Sequence, residues 1–128
     1  MTKSIIRLDH GFLIELNKKG INAILVDDVI KVGEYDGVEF KEKEVSEEKV
    51  NFVKSVVEEV KKMMSECTHV KSIIMSDMFY VKFDYEGKEV IAFVSEDSVT
   101  FNVEEDVDQS FKDEIKRCVE RFKEVMLR

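Results

Sequence analysis

The 128-residue chain has no proline, two cysteines, two histidines, and a single glutamine, Gln109. It carries no Gly-rich phosphate loop, no serine nucleophile elbow, and no cysteine set beside a histidine and a third orienting group. A carboxylate-only hydrolase, whose paired acids meet only in the fold, stays as the minority enzymatic reading. Cys67, Cys118, His10 and His69 are the available soft metal ligands. Cys67 and His69 are close in sequence, but Cys118 falls on an apolar helix stripe and His10 at a strand turn, so neither a metal site nor a cofactor is expected. The expectation is two small buried thiols, unpaired in a reducing cytoplasm, and two exposed imidazoles.

Long hydrophobic runs are missing too. Ile21 to Val26 is typical of the apolar stretches, far short of a membrane span, and the N-terminus lacks a basic segment followed by an apolar signal region. A cytoplasmic protein without a membrane partner is therefore expected. Positive charge is in deficit: 28 acidic against 20 basic residues give a formal net charge of -8, which opposes a phosphate backbone and argues against nucleic-acid partners. The basic residues near the end, among them Lys116, Arg117, Arg121 and Arg128, are interleaved with acids in the order that favours pairing along a helix. The lack of proline and near lack of glutamine, with abundant Lys, Glu, Val and Ile, resembles the composition of proteins from hot environments.

What is present is an echo. Lys3-Ser4-Ile5-Ile6, followed by Asp9 and Phe12, returns as Lys71-Ser72-Ile73-Ile74, followed by Asp77 and Phe79. The alternation of Phe12 to Leu16 returns in Phe79 to Phe83, Gly20 is answered by Gly87, and Ala23 to Val32 by Ala92 to Phe101. The register shifts by single residues along the way. An internal duplication, with halves 1–67 and 68–128 inside one domain, is one reading, and chance likeness among short apolar strands is the other.

Helical periodicity covers 46–66. Ser46 is a candidate N-cap followed by Glu47 and Glu48, and Val50, Val53, Val57, Val60, Met64 and Cys67 form a stripe broadened by Phe52, Val56 and Met63. A second helix runs to the chain end, with Asp106 and Gln109 as a capping box and Phe111, Ile115, Cys118, Phe122 and Val125 inward. Alternating residues place strands near 3–9, 11–17, 21–26, 29–35, 38–45, 70–76, 78–85, 89–95 and 98–103. Hairpin turns are expected at Lys19-Gly20, Asp36-Gly37 and Glu86-Gly87. The fold class that follows is α+β, an antiparallel sheet with two long amphipathic helices covering one face. Nine strands carry more apolar positions than two helices can cover, so the sheet is expected to curl, to split in two, or to bury its free face against a partner.

Two functional readings follow. The first is a non-catalytic interaction or regulatory adaptor module, a dimer or bound to another protein through its uncovered face or edge. Met75, Met78, Phe79 and Tyr80 are its candidate contact residues, since Met and aromatic side chains make adaptable, high-area anchors, and ordinary core positions are the equal alternative for them. The second is a ligand-binding protein with an acidic pocket between the halves, where Asp27, Asp28, Glu96 and Asp97 would take a divalent cation or a basic ligand. Turns and helix caps are the simpler explanation of these acids and of those from Glu104 through Asp106 to Asp108.

The strand, hairpin, strand and closing-helix order of 71–128, with the phrase from Ile73 to Val94, resembles the C-terminal half of roadblock and longin domains. That resemblance implies a small adaptor that dimerises and contacts GTPases or trafficking machinery. The first half departs from it: five strands precede the first helix where the family has two. No functional residue carries across.

Overall fold

The computed structural model describes residues 2–16, 22–75, 77–102 and 107–126. Its elements run β1 (Thr2–Leu8), β2 (Gly11–Leu16), β3 (Asn22–Val26), β4 (Val29–Tyr35), β5 (Phe40–Glu42), α1 (Glu47–Glu66), β6 (Val70–Met75), β7 (Phe79–Tyr85), β8 (Lys88–Val94), β9 (Val99–Phe101) and α2 (Gln109–Met126). The strands form one nine-stranded sheet in the order β5-β4-β3-β2-β1-β6-β7-β8-β9. All neighbouring pairs are antiparallel.

Short turns set this order. Asp27 and Asp28 both adopt positive φ, 50° and 65°, and close a two-residue hairpin between the paired residues Val26 and Val29. Glu86 and Gly87, at 52° and 78°, do the same between Tyr85 and Lys88. At Asp36-Gly37 the Asp36 carboxylate accepts the amides of Val38 and Glu39, each at 2.8 Å. That turn is wider than expected, so β5 shrinks from 38–45 to three residues and Val38 is 91% exposed. The expected turn at Lys19-Gly20 and the acids Glu104 and Asp106 lie outside the described residues.

The two centre strands meet at Ile5 and Ile73, with Ser4 opposite Ile74 and Ile6 opposite Ser72. From that pair, one row of directly opposed residues runs outward through Ile14, Ala23 and Val32, and the other through Val81, Ala92 and Phe101. A register shift breaks β1 between Thr2 and Ser4 against β2, and β6 between Val70 and Ser72 against β7. Both shifts fall at the echoed lysines, Lys3 and Lys71.

These rows join a single core cluster with the buried residues of both helices. In α1 those residues are Val53, Val56, Val57, Val60, Met63 and Met64. In α2, Ile115, Cys118, Val119, Phe122, Val125 and Met126 recur at the same spacing, preceded by Phe111. The caps match as well: Ser46 Oγ accepts the Lys49 amide at 3.3 Å, and Asp108 Oδ1 accepts the Phe111 amide at 2.8 Å. Asp108 thus caps α2. Its helix begins one residue later, at Gln109, which extends its side-chain amide to Asp113 instead of back to the cap.

The last turn of α1 has no basic residue to offset its terminal carbonyls. Arg7, from β1, supplies the charge: its guanidinium donates to the carbonyls of Val70 (2.7 Å), Met64 (3.1 Å) and Cys67 (3.2 Å) and lies 5.4 Å from the centre of the Phe12 ring. Burial draws its pKa below the ordinary arginine value. Helix to helix, Glu66 pairs with Arg121.

The two cysteines are not free thiols. Both are buried, as expected, but Cys67 and Cys118 form a disulfide with Cα atoms 6.1 Å apart. Position explains it: Cys67 closes the C-terminus of α1 and Cys118 lies on the buried stripe of α2, so helix packing brings together residues 51 apart in sequence.

Candidate interaction face

Side chains alternate across a strand, so residues flanking the core rows must emerge on the other side of the sheet. Strand pairing gives two such rows. One runs Phe93, Tyr80, Ile74, Ser4, Glu15, Asn22; the other runs Ile91, Lys82, Ser72, Ile6, Leu13, Ile24, Lys31. None of their apolar members belongs to the core cluster or packs against it. Ile6, Ile24, Ile74, Tyr80, Ile91 and Phe93 are half-buried, and Tyr80 and Phe93 set their rings 6.5 Å apart. At the end of this face Val26 is 37% and Val29 56% exposed.

The centre of the face is tighter. Leu13 is 4%, Ser4 7% and Asn22 8% exposed, and Ser4 Oγ makes no hydrogen bond. A hydroxyl withdrawn from solvent without a partner costs on the order of 1–3 kcal/mol. Charge here is sparse and mixed: within the two rows stand Glu15, Lys31 and Lys82, although the whole chain has a net charge of -8.

The candidate contact residues divide between the two sides. Met75 and Phe79 face each other across β6 and β7 and pack against the core. Tyr80 emerges on the opposite face. Met78 lies in the turn between those strands, 55% exposed, and with Phe79, Phe93 and Thr100 lines a cavity of about 330 Å³. Periodicity identifies the strand but not which of its sides shares a core with the helices, so it does not single out Ile6, Leu13, Ile24, Ile74, Ile91 and Phe93.

The four candidate ligand acids do not meet. Asp27 and Asp28 form the β3–β4 turn, where the Asp27 amide donates to the His10 carbonyl (3.1 Å) and Asp28 binds Lys61 of α1 (3.1 Å). That hydrogen bond raises the Lys61 pKa. Glu96 and Asp97 sit in the β8–β9 turn, on the far wing of the sheet and at the opposite strand end, beside Lys116, Glu120 and Lys123 of α2 around a cavity of about 410 Å³. Antiparallel pairing of β1 with β6 sends the two turns in opposite directions, so these four acids share no pocket. Among the described residues no group of three or more His, Cys, Asp or Glu is arranged to hold a metal ion.

A second polar cluster borders α2. His69 Nδ1 lies 3.3 Å from Glu114, and its ring packs edge-on against Phe111, which stacks on Tyr85 at 3.9 Å. The Tyr85 hydroxyl donates to Asp108 at 2.7 Å. This bond holds the Asp108 carboxyl below its usual range and, with desolvation and nearby acids, pushes the Tyr85 phenol up to about 12. The Tyr85–Asp108 bond thereby holds the start of α2 to β7, and the His69–Glu114 contact holds its second turn to the segment entering β6. His69 was expected as an exposed imidazole; its side chain is 42% exposed and paired.

No family model, curated protein or solved structure matches the chain. Among the described residues no helix is long and apolar enough to cross a membrane.

Proposed function

We propose that the protein is a non-catalytic interaction module that self-associates through the sheet face opposite its helices. One observation carries the reading: the half-buried apolar residues of that face stand outside the core that holds the helices. In this reading α1 and α2 cover one side only, and the other is the docking surface. The edges suit docking less well, because β5 and β9 are three residues each and offer short ladders.

A second copy of the chain is the occupant we favour, for two reasons. Two molecules of net charge -8 repel except where their acids are few, and the central rows are such a place. Nine strands spaced ~4.8 Å apart and about five residues deep give the face a flat outline on the order of 700 Å², broad enough to seat a second copy.

We further read the chain as an internal duplication, β1–β5 with α1 and β6–β9 with α2, related by a local two-fold axis near the Ile5–Ile73 pair. The matched register shifts, core rows, helix stripes and caps support it. A dimerising adaptor is also what the likeness of 71–128 to roadblock and longin domains implies. We place the protein in the cytoplasm, in an organism of hot environments, where intracellular disulfides are common.

Light scattering over a concentration series tests the function. A mass of twice 14.9 kDa is expected, falling to 14.9 kDa on dilution or in Ile24→Glu. A monomer at all concentrations would overturn it.

A further inference from the structure

The two halves place opposite charges at matching positions on this face. Glu15 follows the core residue Ile14 on β2, and Lys82 follows Val81 on β7, where Ile14 and Val81 hold corresponding places in the two core rows. Both emerge on the side away from the helices, and both are half-buried. Within one chain they cannot meet, since β1 and β6 lie between their strands and three strand spacings amount to ~14 Å.

We infer that the second copy docks in one particular orientation, with Glu15 of each molecule over Lys82 of the other. This rests on the self-association reading and specifies its geometry. A two-fold axis lying between the stacked faces, at right angles to the line from Glu15 to Lys82, satisfies both contacts at once and makes the interface isologous. The stack places Ile6, Ile74 and the buried hydroxyl of Ser4, which lie between the two charges on the central strands, at the middle of the interface. Paired charges fix register more than they add affinity, and like charges set opposite each other are costly. The orientation that matches them is therefore selected over its alternatives.

Two measurements test it. Zero-length carbodiimide coupling of the wild-type protein is expected to join Glu15 to Lys82 in the dimer band alone, identified by peptide mass. Dimer dissociation constants from sedimentation equilibrium are expected to rise at least tenfold in Glu15→Lys and in Lys82→Glu, and to return to within about threefold of wild type in the double exchange. Circular dichroism confirms that each variant is folded, and if a single exchange misfolds, Glu15→Gln and Lys82→Gln replace it with a smaller expected loss. A monomeric wild type would sink the self-association reading itself. A wild-type dimer that gives no such cross-link, or that is indifferent to the single exchanges, would overturn this orientation while leaving self-association intact.

Discussion

The half built from β1–β5 and α1 and the half built from β6–β9 and α2 agree where side chains are buried and diverge where they are not. Core rows, helix stripes and N-caps correspond one to one. Outside them, Arg7 reaches back to hold the end of α1, whereas Met75, which faces Phe79 as Arg7 faces Phe12, packs against the core. The first half adds β5 at its edge, where a Cβ on Gly33 would come within 1.9 Å of the Lys41 carbonyl oxygen. Close packing penalises changes of volume in the core, while edges and turns are free to specialise.

The severest way to break this correspondence is at its centre. Ile5→Ala and Ile73→Ala each remove a fully buried side chain, and each is expected to lower stability by about 3 kcal/mol in denaturant unfolding. Losses that differed by more than ~1.5 kcal/mol would show that the two places are not equivalent in packing. A milder probe gives the first half the residue of the second. Arg7→Met is expected to cost about 2 kcal/mol, because three carbonyls lose a charged donor, and to raise hydrogen exchange at the C-terminal turn of α1 while leaving α2 unchanged.

The smallest effect sharpens the difference between the caps, since Asp108 has a tyrosine partner. Tyr85 is raised from 10.0 to about 12, so its contribution is present below pH 10 and is lost as pH climbs through about 12. Asp108 is lowered from 3.8, so its contribution is present above that pH and fades as pH falls through the folded value. Ultraviolet titration should show a phenolate step near pH 12 that vanishes in Tyr85→Phe.

The sequence reveals much of this architecture because alternation and helical stripes are local signals. All nine strands and both helices were readable, as were the Ser46 cap and the Glu86-Gly87 hairpin. Their pairing order was not, and that order decides the site. Asp27 and Asp28 carry two readings in the sequence, turn or ligand, and the left-handed conformation of both shows the turn. The face carrying Ile6 and Tyr80 can be told from the face carrying Ile5 and Val81 only by the core cluster that Ile5 and Val81 share with the helices. Arg7 gave no signal, since its acceptors are backbone carbonyls more than fifty residues away.

The bond between Cys67 and Cys118 turns four strands and half of α2 into a covalent ring that includes every strand of the second half. Such a ring ties the polypeptide's maturation to an oxidant. Once the sulfurs have joined, the C-terminal end of α1 and the middle of α2 stay tethered through any local opening of the strands between them.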